Sequence, residues 1–330
     1  SLFSFYRSDR YNYHLTASRY HMKQAENGGI TDDRYITRPE ETDGSNSNFG
    51  TSDIPVKLED SWNRNEVYTL FFTHNYNLGS YKEQAYIDTT GVATDSLITR
   101  FVPVARITHT ADVRHNNREF INYRQPVGFY ADTYLPYDST DNTKHLSISN
   151  RIELSLCEGF SKWAQMGLTA FASHTFRSYT LPELAGPDST TMKKWKENDI
   201  TVGGELSRAK GKLINYNVNG EFWLIGEYAG DFKVDGNVKL NFKTKKQDSI
   251  KVRQDSIQVD LFGNIHHRKP GFYMRHYHSQ FTWWDNTNLD RELRTRIQGR
   301  ISYSRTKTAL TVGLENVTNY THFAMDNTLL

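Results

Sequence analysis

Residues 289–304 read LDRELRTRIQGRISYS. Leu293, Thr295, Ile297, Gly299, Ile301 and Tyr303 share one parity, and Glu292, Arg294, Arg296, Gln298, Arg300, Ser302 and Ser304 share the other. Successive side chains of a β-strand point to opposite faces, so an extended chain here has one apolar face and one charged face. A helix would scatter the same residues around its circumference. The fold turns on what lies against each face.

The same alternation recurs. In 231–243, DFKVDGNVKLNFK, Phe232, Val234, Gly236, Val238, Leu240 and Phe242 oppose Asp231, Lys233, Asp235, Asn237, Lys239, Asn241 and Lys243 without exception. In 213–224, Ile214, Tyr216, Val218, Gly220, Phe222 and Leu224 oppose Asn215, Asn217, Asn219 and Glu221. Residues 146–156 alternate apart from Asn150, and 255–265 alternate apart from Phe262. Further strand candidates are 11–23, 66–77, 101–113, 118–124, 164–179, 198–207, 271–284 and 307–317. The total is about thirteen strands, many of them about twice the usual length of ~5–6 residues. No segment forms a convincing amphipathic helix. RAKGK (208–212), HRKPG (267–271) and SRTKT (304–308) read as tight turns, and 24–65, 124–144 and 181–197 as long polar loops of one domain spanning 1–330.

Composition narrows the classes. The net charge is +2 with 24% charged residues, which lacks the basic excess of a nucleic-acid binder. Aromatic residues make up 13% and hydrophobic residues only 37%, thin for the core of a soluble chain of this size. Cys157 is the single cysteine, so no disulfide forms within the chain. No run approaches the ~18 apolar residues of a membrane helix. Neither the start, SLFSFYRSDRYNYHL, nor the end, THFAMDNTLL, carries an obvious leader or closing element, and both read as cuts through a longer chain.

Long strands of period two, short turns against long polar loops, and abundant Tyr and Phe fit an all-β, antiparallel transmembrane β-barrel of about 12–14 strands. Its apolar parity would meet lipid and its polar parity a wet lumen. The rival is a soluble sandwich with the apolar parity inward. Small residues on that parity, such as Gly220, Gly236, Gly263 and Gly299, would leave holes in a dry core but are tolerated against lipid. A count near thirteen leaves barrel closure open, since bacterial barrels usually have an even number.

Several stretches resemble the putative porin family of Bacteroidota: NGGITDDRY (27–35), IPVKLEDSWNR (54–64), FFTHNYNLG (71–79), DTTG (88–91), RFVPVARITHTADV (100–113), GLTAFASHTFRSY (167–179), and the run from YHSQFTWWDN to NYTHF (277–323). The resemblance implies an outer-membrane barrel of a bacterial cell with diffusion-pore activity, in contact with outer-membrane lipid and small polar solutes. It also implies a longer chain with a signal peptide. It brings no functional residues with it. A closed-lumen binding barrel and the barrel of a TonB-dependent transporter are the alternatives, and association as a homo-oligomer stays open.

The residues that could carry function follow from the faces. Arg294, Arg296, Arg300 and Glu292, with Lys233, Lys239 and Asp235, are a candidate lumen-facing charge ladder that selects among ions. The bland alternative is that they pair with acids such as Glu315 on neighbouring strands. Trp223, Tyr228, Tyr277, Phe281, Trp283 and Trp284 are candidate interfacial aromatics, and lumen-facing aromatics for sugar stacking are the rival. His276 and His278 share a strand face but lack a Cys partner or helical spacing, and DNTNLDRE (285–292) lacks the calcium-loop glycine. No metal and no cofactor is expected. Without G-x-S-x-G, P-loop or H-E-x-x-H, the chain reads as a non-enzyme.

Overall fold

The computed structural model describes residues 1–43, 52–87, 93–124, 128–136, 141–159, 165–248 and 251–323. Twelve strands form one antiparallel sheet in chain order: β1 (Leu2–Arg7), β2 (Tyr11–Ala25), β3 (Ser61–Ile87), β4 (Ala93–Asn122), β5 (Asp141–Leu156), β6 (Gly167–Gly186), β7 (Ser189–Arg208), β8 (Ile214–Ile225), β9 (Phe232–Asp248), β10 (Lys251–Arg268), β13 (Glu292–Tyr303) and β14 (Thr308–Thr318). A second sheet pairs β11 (His276–His278) with β12 (Trp283–Asp285). The helices α1 (Arg34–Thr37), α2 (Glu40–Asp43) and α3 (Phe272–Arg275) are four residues each. The expected all-β antiparallel class of long strands is the one observed. The main sheet is not closed, and β1 and β14 are its edges.

Register keeps the two parities apart across the sheet. Gly236, Gly263, Ile297 and Leu314 form one cross-strand row, and Asp235, Asn264, Arg296 and Glu315 the adjacent row on the opposite face. On the apolar face Leu70, Ile152, Leu154, Leu168, Leu261, Ile297 and Leu314 stand exposed. Soluble monomers rarely leave so extended an apolar surface open. Buried apolar side chains lie on the other side, among them Phe120, Phe171, Tyr179 and Leu181.

The long connections share an end. Residues 26–60, 123–140 and 269–291 join strands at one end of the sheet, as do the short connections 187–188 and 226–231, while 8–10, 209–213 and 304–307 make short turns at the other.

Three sequence expectations need correction. First, 181–197 is not a loop: β6 and β7 run through it, pairing as far as Gly186↔Ser189. Its prolines and charges suggested a loop. Beyond Thr180, however, β6 has only β7 beside it, so this hairpin projects past the sheet and its polar residues are solvated. Second, 101–113 and 118–124 are parts of one strand, β4. Third, 271–284 is not a strand of the main sheet. Pro270 and Gly271 end β10, which pairs instead with β13. The segment has apolar side chains on both parities, Phe272 and Met274 against Tyr273 and Tyr277, so it has no single face to present outward.

One glycine is required by a close approach. A Cβ on Gly203 would lie 2.2 Å from the Phe171 ring and 2.3 Å from the Gly220 carbonyl oxygen. Phe171 is buried there beneath Arg151, whose guanidinium carbon sits 3.5 Å from the ring centroid. Gly203→Ala should destabilise the folded protein by about 1–3 kcal/mol through overpacking. Gly204→Ala, whose Cβ would meet nothing closer than 3.2 Å, should cost less, as read from urea unfolding of the refolded protein.

Candidate functional site

The connection 269–291 folds across the polar face instead of leaving the sheet. Its tip is a tight turn in which Ser279 Oγ donates to the Thr282 carbonyl at 3.0 Å and accepts the Thr282 N–H at 3.1 Å. That turn lets β11 and β12 pair over three residues each.

Two kinds of anchor hold the segment down. The first is aromatic. Phe272 stacks on Tyr179 of β6 at 3.8 Å, and Tyr179 stacks in turn on His145 of β5 at 4.5 Å. Phe281 stacks on Tyr130 at 3.7 Å and meets the edge of Phe120 of β4. His278 stacks on Trp283 at 3.7 Å, and its two ring nitrogens face acceptors on both sides. Nδ1 lies 3.2 Å from the Pro182 carbonyl and Nε2 lies 3.1 Å from Asp285.

The second anchor is ionic. The guanidinium of Arg275 is almost fully buried and donates in three directions. It reaches the Pro270 carbonyl at 3.0 Å, Glu227 at 2.6 Å and the buried Glu197 of β7 at 2.8 Å. Lys269 donates its Nζ to Glu227 at 2.6 Å and its backbone N–H to Asp231 at 2.9 Å. Arg291, at the far end of the segment, donates to the other oxygen of Asp231 at 2.9 Å. The 226–231 turn therefore clamps both ends of the segment. The turn itself is docked by Asp199, which accepts the Tyr228 N–H at 3.1 Å and pairs with Arg177. Gly226 takes a φ of +115° in that turn, where a Cβ would lie 2.0 Å from the Asn198 carbonyl oxygen, so glycine is required.

Burial alone would raise the Glu227 carboxyl, but hydrogen bonds and charge from Lys269 and Arg275 outweigh it and hold its pKa below the ordinary range. Asp285 is likewise opposed by burial and held down by His276 and His278. Burial pushes the phenol of Tyr273 up to about 12.

The predicted charge ladder lies on one face, with its members on β9 and β13, the two neighbours of β10. Arg294 is 3.4 Å from Glu292 and 3.5 Å from Glu315. Lys233 and His266 both reach Asp235 at 2.9 Å. Arg296 donates to Gln298 at 2.7 Å and stands 5.9 Å from the ring of Phe262, the residue that broke the alternation. Lys239 and Arg300 flank Asp260 in register.

The predicted aromatics are placed differently from a girdle on the apolar face. Tyr277, Phe281, Trp283 and Trp284 belong to the folded-in segment, where their rings pair with Trp284, Tyr130, His278 and Tyr277 respectively. Tyr228 sits in the 226–231 turn, with the guanidinium carbons of Arg177 and Arg275 5.1 Å and 5.6 Å from its ring centroid. Trp223 alternates with the exposed Phe222 and Leu224, which puts it on the polar face. Five of the six rings thus have partners in or beside the folded-in segment. Sequence reasoning missed Arg275, Glu197, Glu227 and Asp231 as anchors. The available signal was the failure of alternation after Pro270 and Gly271.

Arg275→Met strands Glu197 without its counter-charge and should cost about 3–5 kcal/mol, with part recovered by adding Glu197→Gln. The fluorescence of Trp283 and Trp284 reports release of the segment. Acid should release it too, with a defined sign. Glu227 and Asp285 have lowered pKa values in the folded protein, so their contribution is complete above the ordinary carboxylate range of about 4 and is lost as pH falls through the lowered values. Tryptophan emission should hold steady from neutral pH to about 5 and change only below about 4. Asp285→Asn should flatten that transition.

Comparison with known proteins finds no similar curated protein and no similar solved structure. The family described as "Putative porin" matches residues 1–329, and the chain belongs to that family.

Proposed function

We propose that the chain forms the wall of an outer-membrane channel through which small polar solutes or ions diffuse, with no catalytic role. One observation carries the reading. A single antiparallel sheet of twelve strands exposes an apolar face and carries most of its charged residues on the other, with exceptions such as Arg19 and Glu66 paired near a strand end. Family membership points the same way.

In that setting the apolar parity meets lipid and the polar parity lines water. The edges β1 and β14 need partner strands, because a bilayer offers an unpaired strand edge no hydrogen bonds. Short turns of such barrels lie on the periplasmic side and long loops outside. That puts 8–10, 209–213 and 304–307 in the periplasm and 26–60, 123–140 and 269–291 at the cell surface. The charges on the polar face are mixed and largely paired, which favours weak selectivity over a strong anion filter.

A second reading is a closed lumen whose loops bind a ligand. It draws on the folded-in segment, which covers part of the polar face near β4 to β7. Single-channel recording of the protein refolded into a planar bilayer separates the two. Stable current steps are expected of the channel. Silence from a folded, heat-modifiable protein would favour the closed barrel.

The orientation of the faces has its own test. Ile297→Arg puts a charge on the apolar face and should cost about 2–4 kcal/mol if that face lies at the bilayer midplane. Arg296→Ile, one residue away on the polar face, should be much milder. Equal effects in a lipid-vesicle refolding titration would sink the assignment.

A further inference from the structure

Between the folded-in segment and strands β3 to β5 lies a cavity of about 470 Å³, within the usual size range of small-molecule sites. Asn65, Asn116, Arg118 and Thr143 line it from the strands, and Tyr273 and Tyr277 from the segment. Its chemistry is specific in three respects.

First, it holds a buried polar group without a partner. Thr143 is 6% exposed, and its Oγ1 has no hydrogen-bond partner among the described residues. Buried polar atoms left unpaired are costly, so such atoms in a cavity wall mark where a ligand or water completes them. Second, the charge is already balanced. Arg118 lies 3.6 Å from the buried Asp141, so the cavity offers an arginine donor without a net positive field to attract an anion. Third, the other polar residues of the wall are amides apart from Glu66, which already pairs with Arg19. Asn65 and Asn116 each present both a donor and an acceptor, the combination that engages neighbouring hydroxyl groups. Opposite them are two tyrosine rings. Tyr277 is stiffened from behind by Trp284, stacked at 4.8 Å, and Tyr273 meets it edge-on at 6.3 Å.

Neutral donors and acceptors on one wall and rigid aromatic rings on the other suit a ligand with hydroxyls on its rim and C–H groups on its face. We propose that this cavity binds a neutral polyhydroxylated ring, a mono- or disaccharide. The proposal rests on the channel reading for the route by which the sugar arrives, and it adds the solute class to that reading. Tyr273 and Tyr277 belong to the segment that Arg275 clamps, so the site exists only while the segment is folded in.

The test is a titration of the full-length protein, folded in detergent, with maltose, followed by calorimetry and by the emission of Trp284. Saturable binding is expected. It should weaken about tenfold in Asn116→Ala, which removes both an amide donor and an acceptor, and persist in Thr143→Ser, which keeps the hydroxyl. Sodium phosphate is the competing probe. No saturable maltose binding, or maltose binding that Asn116→Ala and Tyr277→Ala both leave unchanged, would overturn the site. Phosphate binding in place of maltose would overturn it in favour of an anion site at Arg118. Heat-modifiability of each variant confirms that the barrel has formed. Conductance of the same preparations keeps the two readings apart. Current steps without maltose binding overturn the site alone. Maltose binding without steps supports the site and removes the channel.

Discussion

Register is the constraint on which the rest depends. A slip of one residue in a strand pairing moves every side chain to the opposite face. Here the pairing must hold over long runs, from Ser61↔Asn122 to Ala85↔Leu97 between β3 and β4 with one shift near Gly79. Along the middle of these runs the apolar parity, Leu70 and Phe72 against Val113 and Ala111, stays on one side, and charges such as Arg64 and Glu119 join that parity only near the strand end. The ion pairs follow from register and do not set it. Arg294 reaches Glu315 because Arg296 and Glu315 are in register, and His266 reaches Asp235 because it pairs with the adjacent Lys233. Such pairs are half-exposed and worth little each. The row-by-row agreement of the two faces supplies the specificity.

The folded-in segment depends on that register at one remove. Its ionic partner Glu197 and Asp199, which docks the 226–231 turn, sit two apart on β7 and so share a face, as do its aromatic partner Tyr179 and the fully buried Leu181 on β6. The β6–β7 hairpin projects beyond β5, which raises this patch above the rest of the wall. Ring stacking fixes the position of the segment and the Arg275 cluster fixes its ends. The ionic cluster is not the main source of affinity. A buried ion pair roughly breaks even against desolvation, but removing one partner is severe. It therefore acts as a lock: it adds little stability while intact and makes one arrangement much better than its neighbours.

This division explains what could be read in advance. Where one face meets a uniform medium, alternation is complete, and 231–243 and 293–304 are strands of the main sheet as their patterns require. The folded-in segment has protein on several sides, so its side chains follow no period, and the single strand expected over 271–284 does not form. The polar hairpin at 181–197 failed for a related reason. Beyond Thr180 the hairpin packs Leu181 and Pro182 against the folded-in segment while most of its other residues are exposed, so no long apolar alternation marks it as a strand. Phe262 and Asn150, the two lone exceptions to alternation, were both informative. Phe262 lies among polar neighbours and takes the guanidinium of Arg296. None of the cluster at Arg275 could be found locally, because Glu197, Glu227 and Arg275 come together only through the fold.

Asn150 shows how the apolar face can carry polar atoms at all. His74 Nε2 lies 3.2 Å from His109 Nδ1, and His109 Nε2 lies 3.3 Å from Asn150 Oδ1. On the next pair of strands His174 Nε2 lies 3.3 Å from Asn198 Oδ1. One set of neutral tautomers satisfies the first chain: His74 donates from Nε2, His109 accepts at Nδ1 and donates from Nε2, and Asn150 accepts. The bonds run sideways between adjacent strands, with Ile148 and Ile152 flanking Asn150 along β5. If the apolar face meets lipid as proposed, a lone histidine there would leave donor and acceptor unsatisfied, at a cost of several kcal/mol. A row that bonds to itself across the strands spares most of that cost, and the same alignment of strands that separates the two faces is what brings the row together.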